Sequence, residues 1–272
     1  MTSLKLTNTS QNDELKFFGL EPTADELLWH MPITSRVVGA TGTLHGGCAL
    51  AAVVGALEVV TGRQLAYASA QYLSRVELGS EVTIQLELNA VGNKITQAAG
   101  NIIGDGGVVL RALCGFGGRT LPEDRCWIQD RELGDPLLCS KRPQTSETGV
   151  SFTDSTDIRI AQQTPGDGVV QYWARLPGTL ASTTMGLTAL ADLLPSGMRV
   201  SLNKAFRGSS LDNAIRLGQR LASEWILIEI ESFVVSQAIG HGVVRIFSED
   251  GKFLGSATQS FAITKITGEL DR

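Results

Sequence analysis

The chain has 272 residues, about twice the modal length of a single domain. Apolar residues make up 43% and charged residues 19%, with 30 glycines and 8 prolines, which excludes a disordered, collagenous or coiled-coil chain. The formal charge of -5 comes without a basic or acidic tail, so no nucleic-acid partner is expected and a small molecule or protein fits better.

In chain order, residues 1–11 are polar and carry no hydrophobic signal segment, which argues for the cytoplasm. A short helix is expected over 24–29, where Thr23 caps and Glu26 completes a capping box. The run 46–57 is apolar around nearly its whole circumference, so it predicts a helix buried on most sides. It is the longest uncharged apolar run and falls well short of the roughly 20 residues that span a bilayer, so no membrane span is expected. Residues 82–88 and 108–114 alternate as strands of an antiparallel sheet with one wet face, and Asp105-Gly106 forms a hairpin turn before the second. Residues 121–155 hold Pro122, Pro136, Pro143 and much local charge, and they read as a connector. A second helix is expected over 185–194, followed by strands at 225–231, 242–247 and 254–263 with a turn at Asp250-Gly251.

The same signals thus recur in the same order, with matching points displaced by about 140 residues, far longer than a solenoid repeat of about 20–50. The reading is a duplication: α+β, with a unit at 31–120, a connector at 121–155 and a second unit at 156–268.

Motifs for a nucleophile elbow, a phosphate loop or a metal-binding helix are absent. His30, His45 and His241 are few and scattered, and the four cysteines have no Cys-x-x-Cys spacing, so neither a metal site nor disulfides are indicated. No cofactor is expected. His45-Gly46-Gly47 precedes the first helix: the glycines either leave N–H groups open to an anion or merely permit a close chain crossing, and His45 is as readily structural as functional.

Asp192 interrupts the apolar second helix, where burial is unfavourable unless polar groups satisfy the carboxylate. Ser210, at the start of the following strand, and Gln259, in the last strand, supply a hydroxyl and an amide that can converge on it. The matching positions in the first unit are Val53, Ser69 and Cys114, which suggests a site confined to the second unit. The competing expectation is that Asp192 caps the end of its helix near Pro195 and Gly197, facing solvent.

The segments Ser210-Leu211-Asp212-Asn213-Ala214, Glu224-Trp225-Ile226-Leu227, Asp250-Gly251 and Ala257-Thr258-Gln259 resemble the double-hotdog acyl-CoA thioesterases, particularly the acyl-CoA thioesterase II family, over most of 35–265. The resemblance implies a tandem hotdog, each unit a curved antiparallel sheet wrapped around a central helix. It implies an acyl-CoA substrate, a catalytic set of Asp192, Ser210 and Gln259 that positions and activates a hydrolytic water, and a homo-oligomer, with a dimer preferred. Backbone N–H groups near 184–186 are expected to stabilise the developing oxyanion. Lys204, Arg207, Arg216 and Arg220 offer charge for CoA phosphates, and surface solvation explains them equally well. The alternatives are a non-catalytic acyl or acyl-CoA binding protein and a hydratase, the latter poorly supported because no histidine neighbours Asp192 in sequence.

Overall fold

The computed structural model describes residues 8–144, 146 and 150–270. The first half runs α1 (Asn8–Phe18), β1 (Glu21–Pro22), β2 (Leu28–Pro32), α2 (Gly46–Thr61), β3 (Leu65–Tyr72), β4 (Glu81–Val91), β5 (Ile95–Gly104) and β6 (Gly107–Gly117). The second contains β7 (Ser140–Lys141), α3 (Phe152–Ser155), β8 (Asp157–Gln162), β9 (Val169–Arg175), α4 (Thr184–Leu190), α5 (Leu194–Leu202), β10 (Lys204–Leu217), β11 (Ile226–Ser236), β12 (Ile239–Ser248) and β13 (Phe253–Glu269).

All the described strands join one sheet in the order β1-β2-β4-β5-β6-β3-β10-β13-β12-β11-β9-β8-β7, with every neighbouring pair antiparallel. The seam between the halves is β3 against β10, from Asp212 opposite Gln71 to Arg216 opposite Tyr67. Each of these strands would otherwise present an unpaired edge, so their pairing satisfies two rows of backbone groups at once. The fold is α+β, a single large antiparallel sheet with few helices. No helix is long and apolar enough to cross a membrane.

Helix α2 is buried from Gly47 to Leu57, as its all-round apolar sequence requires, and packs on β3, β4, β5 and β6. It also packs lengthwise on α4. Gly47 lies against Ala189 and Gly55 against Met185, so the two helices run antiparallel and each N-terminus meets the other's C-terminal end.

Three expectations are corrected. Residues 24–29 form no helix: Thr23 Oγ1 accepts from Asp25 N and Asp25 Oδ1 from Leu27 N, a turn that leads into β2, whose Leu28 to Pro32 pair with Gln85 to Glu81 of β4. Strand pairing here outweighs the local capping signal. The second helix is not continuous over 185–194: α4 ends at Leu190, and α5 begins at Leu194 with Pro195 in its first turn. Proline lacks the N–H of a continuing helix and its ring clashes with the carbonyl four residues earlier, which places the break at Ala191 to Leu193. Ser210 lies in the middle of β10 and not at its start.

Candidate active site

Asp192 sits in the α4–α5 break, 5% exposed, and its carboxylate points across the molecule to the start of α2. Asp192 Oδ2 accepts from Gly47 N at 2.7 Å. His45, the residue before α2, makes no side-chain cap of its own, so the acid from the other half satisfies a helix-start N–H that a capping side chain usually takes. A side chain at either glycine obstructs this arrangement. A Cβ at Gly46 lies 2.6 Å from Asp192 Oδ2, and one at Gly47 lies 2.8 Å from Asp192 Cβ and runs into the Ala189 carbonyl. Of the two readings of the glycines, close approach is the one the structure displays, with α4 as the element approached.

The sequence-selected residues come together. Ser210 Oγ donates to Asp192 Oδ1 at 3.2 Å, and Gln259 Nε2 donates to Ser210 Oγ at 2.9 Å and also to Asp192 Oδ1. Ser210 reaches the carboxylate because of a bulge. Ser210 pairs with Phe261 and Asp212 with Ser260, leaving Leu211 as an extra residue that shifts the alternation of β10 and turns Ser210 inward beside the inward Asn213. Asp192 and Ser210 line a cavity of about 390 Å³; Gln259 is 3% exposed and supports both from behind.

The site is not confined to the second half. His45 and Gly46 line the same cavity as Asp192, and His45 Nε2 lies 3.9 Å from Asp192 Oδ2. Burial holds the His45 pKa below its ordinary value against the pull of Asp192, so the ring is neutral at pH 7 and this contact is not a charge pair there. Tyr72 also lines the cavity, and burial, reinforced by Asp192, raises its phenol pKa well above the usual range. The solvent-facing cap expected of Asp192 is therefore replaced by a buried cap on the partner helix.

The expected oxyanion donors at 184–186 are placed elsewhere. Met185 N donates to Glu14 Oε2 at 3.2 Å and Gly186 N to Thr183 Oγ1 at 3.1 Å, at the opposite end of α4 from Asp192. The helix N-terminus that faces the cavity is that of α2. The cationic residues singled out from sequence also miss the cavity: Lys204 pairs with Glu269, and Arg220 bonds Thr184 Oγ1 and the Leu65 carbonyl. Arg75, Arg142 and Arg199 line it instead, from three segments far apart in the chain that no local pattern connects.

Comparison with known proteins gives this architecture a family. The model of the acyl-CoA thioesterase N-terminal domain matches residues 34–117 and that of the acyl-CoA thioesterase C-terminal domain residues 124–263. The molecule is thus a thioester hydrolase. More particularly, the chain belongs to the acyl-CoA thioesterase family.

Among solved structures, a protein from Novosphingobium aromaticivorans DSM 12444 proposed to be a thioesterase superposes with a TM-score of 0.83 at 22% identity, covering 91% of this chain and 99% of that one. A hot dog fold protein of unknown function from Alicyclobacillus acidocaldarius gives 0.81 at 15%, covering 93% and 98%. The acyl-CoA thioesterase II TesB2 from Mycobacterium marinum gives 0.72 at 16%, again covering 93% and 98%. At such identities these likenesses establish the fold. None of the curated proteins compared with the chain matches it.

Proposed function

We propose that the protein hydrolyses an acyl-CoA thioester to the free acid and CoA, on a tandem hotdog in which each half of the sheet curves around its central helix. The observation that carries this reading is the buried Asp192 carboxylate, hydrogen-bonded to Ser210 and Gln259 and open to a cavity that also exposes the start of α2. Asp192 takes a proton from a water as the water oxygen attacks the thioester carbonyl, and Ser210 orients that water beside the carboxylate. Negative charge developing on the carbonyl oxygen meets the positive end of the α2 dipole. The tetrahedral intermediate then expels the CoA sulfur, which recovers the proton held on Asp192. Gln259 is a positioning residue in this scheme, because it reaches the reacting atoms through Asp192 and Ser210. Two chains associate as a homodimer, an expectation that light scattering over a concentration series checks; a mass fixed at 29.0 kDa rejects it.

The direct test is thiol release from a panel of short, medium and long acyl-CoAs. Hydrolysis of at least one class, lost in Asp192→Asn, is the expected result. Saturable binding across the panel with no thiol release overturns it in favour of an acyl-CoA binding protein.

A further inference from the structure

Arg142, in the chain just after β7, and Arg199, on α5, both line the cavity that holds Asp192 and Ser210. Among the described residues neither has a carboxylate within ion-pair distance. Arg142 Nη1 donates to the neutral Ser196 Oγ at 2.7 Å, and Arg199 donates from Nε and Nη2 to the Phe206 carbonyl at 3.3 and 3.0 Å. Their guanidinium planes lie over aromatic rings, Arg142 5.9 Å from the Tyr172 centroid and Arg199 4.9 Å from that of Phe206. Burial lowers the pKa of both, and for Arg199 the neighbouring Arg142 adds to the effect. Two half-buried cations on one cavity wall, hydrogen-bonded to neutral acceptors and with Asp154 offsetting only part of the burial at Arg142, carry a desolvation and repulsion penalty that an anion between them relieves. The lining charges agree: three arginines face this cavity and Asp192 is its sole carboxylate among the described residues.

From this we infer that Arg142 and Arg199 form an anion subsite of the cavity, which takes a compact carboxylate or phosphate carried by the substrate. The inference deepens the thioesterase reading and rests on it for the word substrate. The planar fork of arginine suits both anions. The anion has two sources, the phosphates of CoA or a second carboxylate at the far end of the acyl group.

Calorimetric titration of the full chain separates them with two ligand pairs, CoA against pantetheine and hexanedioate against hexanoate. The expected result is that the wild type binds the more anionic member of one pair at least about tenfold more tightly than its counterpart, the scale of one charge-assisted hydrogen bond. Preference within the first pair identifies phosphate, and within the second a distal carboxylate. Arg142→Gln and Arg199→Gln should each lose that preference, while Arg111→Gln, a cation on the exposed face of β6 outside the cavity, should keep it. Should Arg142→Gln fail to fold, Arg199→Lys retains the charge without the fork and should weaken the preference. Equal binding of both members of both pairs by the wild type overturns the inference, and so does a preference that survives in the folded Arg142 and Arg199 variants. A wild type that discriminates among these ligands yet hydrolyses no acyl-CoA overturns the thioesterase reading and leaves the subsite standing.

Discussion

The two ends of the α2–α4 helix pair have the same construction and opposite contents. At one end, the start of α2 offers Gly46 and Gly47, and Asp192 meets them with Ser210 beside it and a cavity in front. At the other, the start of α4 carries Met185 packed onto Gly55, and Met185 N is taken by Glu14 from α1. The counterparts of Asp192 and Gln259 there, Val53 and Cys114, are buried apolar side chains, and Ser69 faces solvent. A carboxylate at a buried helix N-terminus is therefore a shared solution to capping; what sets the first end apart is a hydroxyl turned inward and space for a ligand.

The strongest way to break this comparison is to neutralise the acid at the first end. Asp192→Asn keeps size and capping capacity but cannot take a proton, so turnover should fall about 10²- to 10⁴-fold with circular dichroism unchanged. A folded Asp192→Asn enzyme with near wild-type kcat sinks the mechanism. The serines sharpen the contrast. Ser210→Ala removes a hydrogen bond to a charged group and should lower kcat about ten- to hundredfold, whereas Ser69→Ala on the outer face should leave kcat and stability nearly unchanged. Adding Gln259→Ala to Ser210→Ala should lower kcat by less than the product of the single effects, since both hold the same carboxylate.

Gly47→Ala tests the close approach itself. The added methyl meets the Ala189 carbonyl and Asp192, and a loss of about 1–3 kcal/mol in urea unfolding is expected. An unchanged midpoint contradicts the proposed reason for the glycine.

The remaining test lies at the other end. Burial, with Glu58 adding to it, pushes the Glu14 pKa from 4.5 up to about 7, and burial also raises Glu58 while it lowers Arg220 beside them. A carboxyl with a raised folded pKa holds more protons folded than unfolded. The stability it lends is complete below about 4.5 and is lost as pH rises to about 7. Stability measured by denaturant midpoint should therefore carry a declining contribution across that window, and Glu14→Gln should flatten it. An identical slope in Glu14→Gln counts against a titrating Glu14.

Much of this was legible in the chain. The all-round apolar run from Gly46 to Leu57 can be stable only when buried, and it is α2. The hairpins at Asp105-Gly106 and Asp250-Gly251 follow from turn chemistry between apolar runs. Asp192 announced itself because an acid in an apolar helix demands polar partners. The helix expected at 24–29 failed because Leu28 and Trp29 pair with β4, a contact more than fifty positions away in sequence that no local pattern encodes.

The sequence by itself determined which apolar runs must be buried, where the chain turns, and that an acid, Asp192, interrupts an apolar run in the second half where the first half has Val53. These are consequences of hydrophobic periodicity and local backbone chemistry, which act over a few residues. Only the tertiary structure decided that Asp192 caps the helix of the opposite half, that the bulge at Leu211 turns Ser210 inward while Ser69 stays outside, and that Arg142 and Arg199 meet in one cavity. Each depends on the register of strands and the packing of helices far apart in the chain, and a one-residue change in register reverses the face on which a side chain lies.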